Sequence, residues 1–385
     1  MAIIFWVSLF TIGYAYLGYP ALLWVLTRFV KPKMSKNFVD NEEPQPSVTL
    51  LISAYNEEKV IAEKIHNALS LDYPADLLEI VVVSDGSSDR TPQIVSEFAD
   101  KGVVLRHYEG RVGKTACLNR AVPLATGQII VFSDANSNYD RDALKALVHP
   151  FLDSTIGFVT GWTRYGSSDD MTAADSLGLY SKLELVTKEL ESRLGSCVGA
   201  DGAIFAIHKD LYVPLKDYDI NDFVIPLTII EQGYRGVLAR KAVCSEKDAG
   251  GTKGEFYRQV RITNRTIRAI INHRQLLNLF IFDFFSIELF SHKLCKFLVP
   301  FFMIGLFLSN LYLIPNKSSY FLTFLIAQLI FYSGACLAIY VSGDAISVRV
   351  IKAAYAFNLV NMAILVAWIK YLRGETFTTW SPTQR

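Results

Sequence analysis

The chain lacks the residue patterns of a disulfide-stapled, zinc-binding or nucleic-acid-binding protein. Its five cysteines, Cys117, Cys197, Cys244, Cys295 and Cys336, are far apart and form no Cys-x-x-Cys pair. Disulfide frameworks and thiolate metal sites need recurring close spacings, so this usage fits a reducing compartment. The six histidines show no metal-type spacing either. Net charge is almost absent, with 38 basic side chains against 37 acidic ones. Without a basic field there is no electrostatic footprint for nucleic acid, and none is expected as a partner. The chain also has no internal repeat and no low-complexity tract.

In place of charge there is hydrophobicity, at 51% of residues, and the excess lies at the two ends. Residues 3–30 carry a single charge, Arg28. A bilayer needs roughly 20 apolar residues, so residues 1–30 are expected to hold a transmembrane helix. The run has no basic leader and no small-residue cleavage site, which argues against a cleaved signal peptide. Lys31, Lys33 and Lys36 follow at once, and by the positive-inside rule they put the next domain in the cytosol. The expectation is an integral protein of the plasma or inner membrane in contact with membrane lipids. Beyond residue 275, Leu276–Phe290 is apolar but carries Asp283 and Glu288. It reads as an interfacial helix, taken as 276–295. Three further spans are expected within 296–372, followed by a tail, 373–385.

Residues 31–46, with Pro32, Pro44 and Pro46, read as a linker. From 47 to 275 the pattern is that of an α/β domain. Ser47–Ser53, Glu79–Ser84, Val103–His107 and Gln128–Ser133 are short apolar, β-branched runs of the kind buried parallel strands require. Helical patterns at 57–70, 89–100 and 115–125 separate them. This alternation predicts a doubly wound sheet, in which ligands bind beyond the carboxyl ends of the strands.

Four polar groups follow those strands: Ala54-Tyr55-Asn56-Glu57, Asp85-Gly86-Ser87-Ser88-Asp89, Gly110-Arg111-Val112-Gly113-Lys114-Thr115 and Asp134-Ala135-Asn136. An Asp-Gly-Ser-Ser run alone is a turn or a helix cap. Four such groups at one sheet edge suit a different task. A nucleoside diphosphate leaving group gains negative charge as its bond to a sugar breaks. A divalent cation and a nearby Lys or Arg stabilise that charge. Asp134 and Asn136 offer oxygen ligands for Mg²⁺ or Mn²⁺. Lys114 and Arg111 could meet phosphate, and Asp85 a base or ribose. Gly110–Thr115 is not a P-loop, which needs four residues between its first glycine and the Gly-Lys where this chain has two.

Residues 48–136 resemble the family 2 glycosyltransferases, which use a GT-A fold. The family's Pro-x-Tyr-Asn-Glu opening corresponds to Ser53-Ala54-Tyr55-Asn56-Glu57, with alanine for proline. Its Asp-Gly-Ser-x-Asp, Gly-Lys-x-x-x-Leu-Asn and Asp-x-Asp elements correspond to Asp85–Asp89, Gly113-Lys114 with Leu118-Asn119, and Asp134-Ala135-Asn136. The resemblance implies that Ala54, Tyr55, Glu57 and Asp85 bind the nucleoside, that Lys114 lies near the diphosphate, and that Asp134 binds the metal.

Gly199-Ala200-Asp201-Gly202 is similar to the family's acceptor-side glycine segment. Asp219-Ile220-Asn221-Asp222 stands where the family keeps its catalytic carboxylate, which makes Asp222 the candidate base. Processive members of the family carry a Gln-x-x-Arg-Trp element, which corresponds to Arg258-Gln259-Val260-Arg261-Ile262, so Arg258 and Arg261 are candidate phosphate contacts while the glutamine and tryptophan are replaced. Trp380 resembles part of the family's tail, yet three C-terminal spans would leave it on the far side. The expected activity is inverting transfer from a nucleotide sugar, UDP-linked by family habit, to a lipid-linked or glycan acceptor. A processive polysaccharide synthase and a non-catalytic scaffold are the rival readings.

Overall fold

The computed structural model describes residues 1–30, 45–165, 174–246, 252–314, 319–338, 341 and 346–378. Lys31, Lys33 and Lys36, on which the cytosolic expectation rests, lie outside the described residues, as do Pro32, Pro44 and Trp380. The chain forms two compact units. A helical unit takes residues 1–26, 168–187 and 251–376, and a sheet unit takes 27–167, 188–250 and the residues from 377.

The N-terminal rod is α1 (Ala2–Gly13) and α2 (Tyr19–Phe29), joined by a π-helical turn at Tyr14–Gly18. The next stretch alternates β1 (Val48–Ala54), α3 (Ile61–Leu69), β2 (Leu78–Asp85), α4 (Thr91–Ser96), β3 (Val103–Tyr108), α5 (Lys114–Ala121) and β4 (Ile129–Asp134). These are the strands and helices expected from the periodicity, with ends shifted by a few residues. After them come β5 (Ser137–Tyr139), α6 (Ala143–Val148), β6 (Ile156–Tyr165), α7 (Ala174–Leu194), β7 (Ile204–His208), α8 (Asn221–Glu231) and β8 (Arg235–Glu246). The chain ends with α9 (Thr252–Asn272), α10 (Leu279–Leu289), α11 (Cys295–Leu313), α12 (Ser319–Leu337) and α13 (Ile346–Leu372).

The sheet unit is built on one eight-stranded sheet of order β3-β2-β1-β4-β7-β6-β8-β5. β3, β2, β1 and β4 are all parallel, so strand order reverses direction at the β1–β4 boundary. That boundary is the switch point where an open α/β sheet leaves a crevice for ligand. β1 and β4 are buried along nearly their whole length, which explains their unbroken apolar runs. β7 then pairs antiparallel to both β4 and β6, so the second half of the sheet is mixed. The core gathers Leu50, Ile52, Val82, Val131, Ile204 and Ala206 beneath the switch point.

Among the described residues, four stretches are long and apolar enough to cross a membrane: Ala2–Phe29, Leu279–Leu313, Tyr320–Leu337 and Ser347–Leu372. The second takes in most of the residues expected as an interfacial helix, 276–295. α10 runs through a π-helical turn at Phe290–Leu294 directly into α11, giving one 35-residue apolar stretch. The two acids that argued for a surface helix differ in burial. Exposed Asp283 sits at a bend with φ 46°, and Glu288 is fully buried.

Packing also sets the direction of these helices. Phe5 clusters with Leu306, Leu313 and Phe321, while Ala15 clusters with Cys295 and Val299. Near the end of α13, Trp368 donates its indole N–H to the carbonyl of Phe297, at the start of α11, over 2.9 Å. The start of α11 and the end of α13 therefore lie side by side.

Candidate active site

The carboxyl ends of β1, β2 and β4 deliver Ala54, Asp85 and Asp134 to one edge of the sheet. Ala54 stands in register with Ser84, and Asp134 with Ser53. The loops that follow β1 and β2 are stapled together. Asn56, in the left-handed region at φ 52°, accepts the Ser88 amide on its side-chain oxygen at 2.8 Å. Its own amide donates to Ser87 Oγ, and the Glu57 amide donates to Thr91 Oγ1. Gly86, at φ +63°, passes so close to the next loop that a β-carbon would lie 2.4 Å from the Gly110 carbonyl.

Asp85 is 2% exposed and serves the loop after β3. Its carboxylate accepts the amides of Val112 at 2.8 Å and Gly113 at 3.0 Å. Asp85 thus positions the loop that carries Arg111 and leads into Lys114. Burial, reinforced by the charge of Asp85, pushes the Cys117 thiol beneath it up to about 12, so this cysteine is an inert packing group. Arg111 lies over the Tyr55 ring with its guanidinium carbon 4.0 Å from the centroid, making a flat cationic-aromatic face at the switch point.

Lys114 opens α5 and donates to Asp134 Oδ1 at 2.6 Å. Asp134 keeps 38% of its side chain exposed, and Asn136, two residues on, is half-buried. One carboxylate and one amide oxygen suit Mg²⁺ or Mn²⁺, whose remaining positions are commonly filled by phosphate and water. The Lys114 ammonium already marks a cation position on Asp134. Among the described residues there is no group of three or more His, Cys, Asp or Glu that could hold a metal by itself. The residues present therefore fit a metal shared with a phosphorylated ligand.

The second half of the site is organised around Asp222, in the first turn of α8, where the helix dipole favours a carboxylate. Its backbone carbonyl accepts the Ala200 amide at 2.8 Å. Its Oδ2 sits 2.8 Å from where a β-carbon of Gly202 would be. The glycine segment and Asp222 thus form one packed unit. Gly199, at φ +80°, lies against the Phe223 ring. Asp201 turns inward and accepts the Thr163 amide and hydroxyl at 2.9 Å and the Ala203 amide at 3.1 Å. It braces the segment from below.

Three residues that sequence reasoning missed tie the halves together. Thr115, next to Lys114, donates its hydroxyl to the Asp219 carbonyl at 2.9 Å, joining α5 to the loop that leads to Asp222. Lys64 and Asn67 on α3 hold the strand that follows Asp134-Ala135-Asn136. Thr115 lies within a singled-out motif but looked like a helix-start residue, and Lys64 lies in an ordinary amphipathic helix. Arg258 and Arg261 lie on α9 in the helical unit, where Arg258 pairs with Glu255 at 2.7 Å. Phe377 and Thr378 belong to the sheet unit, and the Thr378 carbonyl lies against Gly113.

Residues 49–210 match the family described as Glycosyl transferase family 2. Beta-monoglucosyldiacylglycerol synthase of Trichormus variabilis is 36% identical over 159 residues, covering 40% of this chain and 33% of that protein. Probable glycosyltransferase YdaM of Bacillus subtilis is 37% identical over 128 residues, covering 32% and 30%. Poly-beta-1,6-N-acetyl-D-glucosamine synthase of Staphylococcus aureus is 24% identical over 231 residues, covering 58% and 55%. The chain spans about a third of the length of the first curated relatives it matches. Among solved structures, mannosyltransferase PcManGT from Pyrobaculum calidifontis, in complex with GDP-Man and Mn²⁺, has a TM-score of 0.71 at 23% identity, covering 97% of this chain and 99% of that one. The sheet unit has the GT-A fold.

Proposed function

We propose, from the premise that residues 49–210 form a family 2 glycosyltransferase domain, that the protein transfers a sugar from a nucleotide-sugar donor to a lipid-linked or glycan acceptor at a membrane surface. The observation that carries this reading is the 2.6 Å pair of Lys114 and Asp134 at the switch point, beside the Arg111–Tyr55 face. A flat cationic-aromatic face suits a nucleobase. A lysine over an exposed aspartate at the next strand end suits a diphosphate with its cation.

In this reading Tyr55, Glu57 and Arg111 hold the nucleoside, with Ala54 and Asp85 shaping its slot. Lys114 moves from Asp134 toward the diphosphate when the donor enters. Asp134 and Asn136 would hold a Mg²⁺ or Mn²⁺ ion, which supplies charge to the leaving diphosphate. Asp222 takes the proton from the acceptor hydroxyl while that oxygen attacks the anomeric carbon. The new C–O bond forms as the bond to the phosphate breaks, so the anomeric configuration inverts. Gly199 and Gly202 keep the acceptor path open. The PcManGT structure contains GDP-Man and Mn²⁺, which supports a nucleotide-sugar donor and a divalent ion here. UDP is the nucleotide proposed, and the cytosol the compartment the sheet unit faces.

The test is a panel of UDP- and GDP-sugars titrated by calorimetry onto the purified full chain with Mn²⁺, followed by mass spectrometry of products formed on a lipid extract. Tight binding of one donor and a single added sugar are expected. No binding by any donor would remove the reading, and a ladder of long products would replace it with polymer synthesis.

A further inference from the structure

Lys64 is 1% exposed, among the largest fully buried side chains of the protein. A lysine is almost never fully buried unless it is paired, because stripping water from an ammonium is costly. The side chain rises from α3 and donates to the carbonyl of Ser137 at 2.5 Å, with its ammonium 4.0 Å from the centre of the Tyr139 ring. The charged or titratable groups that face it are Asp134 on β4, Tyr139 on β5, and Cys244 and Glu246 on β8. Burial brings the ammonium down to about 7, against the opposing pull of Cys244, Asp134 and Glu246.

The carbonyl it holds belongs to the residue directly after Asp134-Ala135-Asn136. Ser137 returns a hydroxyl bond to the Asp134 carbonyl at 2.8 Å, closing the turn. The neighbours are held from the same helix. Asn138 donates to Glu63 at 2.7 Å, and Tyr139 is bound through both its amide and its carbonyl by Asn67. The Tyr139 hydroxyl donates to the Ala203 carbonyl at 3.0 Å, next to Gly202. One face of α3 thus grips three consecutive residues, and the grip reaches the glycine segment.

We infer that Lys64 is a positioning residue for the proposed metal-binding turn, anchoring Ser137 so that Asp134 and Asn136 present their oxygens together. The inference rests on the transferase reading above. Two physical roles for a buried cation here have opposite signs. As a nearby positive charge it would repel a dication, and its removal would tighten metal binding. As an anchor it holds the ligands in place, and its removal loosens metal binding.

The test uses the full chain in nanodiscs with Lys64→Met and Lys64→Gln, the second keeping a donor should the first fail to fold. Mn²⁺ affinity is read by electron paramagnetic resonance with saturating UDP, and amide exchange of residues 135–139 is read without metal or nucleotide. Both variants are expected to weaken Mn²⁺ binding about 10-fold or more, as outer-shell partners of metal ligands do. Lys64→Met is also expected to speed exchange in the turn and to lower kcat more than it raises the donor KM. Unchanged or tighter Mn²⁺ binding in either folded variant overturns the anchor role. A wild-type chain that binds no Mn²⁺ even with UDP present instead strikes down the metal reading on which the role rests.

Discussion

The carboxylate of Asp222 lies directly against Gly202, with Oδ2 2.8 Å from the position a β-carbon would take. Real β-carbons do not approach other atoms below 3.0 Å, so any side chain at 202 must move the carboxylate or the segment. Gly202→Ala is expected to lower kcat about 100-fold, the scale of an ångström-level misplacement of a reacting group. Donor affinity, set on the other half of the site, is expected to stay unchanged. Initial rates and nucleotide-sugar calorimetry on the same preparation separate the two.

Lys114 pairs with Asp134, and the proposed function needs it on phosphate when the donor is bound. Lys114→Met is therefore expected to weaken nucleoside diphosphate binding in Mn²⁺ by about tenfold, the scale of one lost charge-assisted bond. Mn²⁺ binding without nucleotide is expected to hold or tighten, because Asp134 loses its competitor. Calorimetric titrations of metal alone and of nucleotide with metal check both signs.

The start of α11 and the end of α13 lie together through Trp368 and Phe297, and Phe377 and Thr378 join the sheet unit. Thr378→Cys and Lys101→Cys, each in a Cys336→Ser background that removes the exposed native thiol, are expected to react with an impermeant maleimide from the same side of sealed vesicles. Labelling from opposite sides would contradict the contact of the Thr378 carbonyl with Gly113.

The parallel half of the sheet was legible because its strands are buried on both faces and read as unbroken apolar runs. The strand-end motifs of β1, β2 and β4 followed from the same logic. What was not legible depends on packing between distant segments. Lys64 resembles any helix lysine until α3 is laid beside β5. Apolar length shows that α12 is long enough to span, but only the contacts of Trp368 and Phe5 show which ends meet. Asp201 reads as an acceptor residue until its carboxylate is found bound to Thr163 and Ala203.

Glu184 in the helical unit is met by His292 at 2.8 Å, Lys296 at 3.3 Å and Lys293 at 3.5 Å. Burial alone would raise its carboxyl, but the charges of His292, Lys296 and Lys293 outweigh it and hold the group well below 4.5. A carboxyl depressed in the folded state adds stability that is fully present above its unfolded value and is lost as pH falls below that value. Thermal unfolding between pH 7 and pH 3 is expected to show this loss, and Glu184→Gln to flatten it. The substitution is expected to cost about 3 kcal/mol at pH 7, the lower end for breaking a buried pair, because 21% of the Glu184 side chain remains exposed.

The most direct test of the central claim is the rate of sugar transfer by Asp222→Asn in Mn²⁺ with the donor identified by the binding panel. The substitution preserves shape but removes the base. The account predicts a fall in kcat of about 10²–10⁴-fold, the usual contribution of a positioned general base, with donor affinity retained. Transfer at the wild-type rate would contradict it.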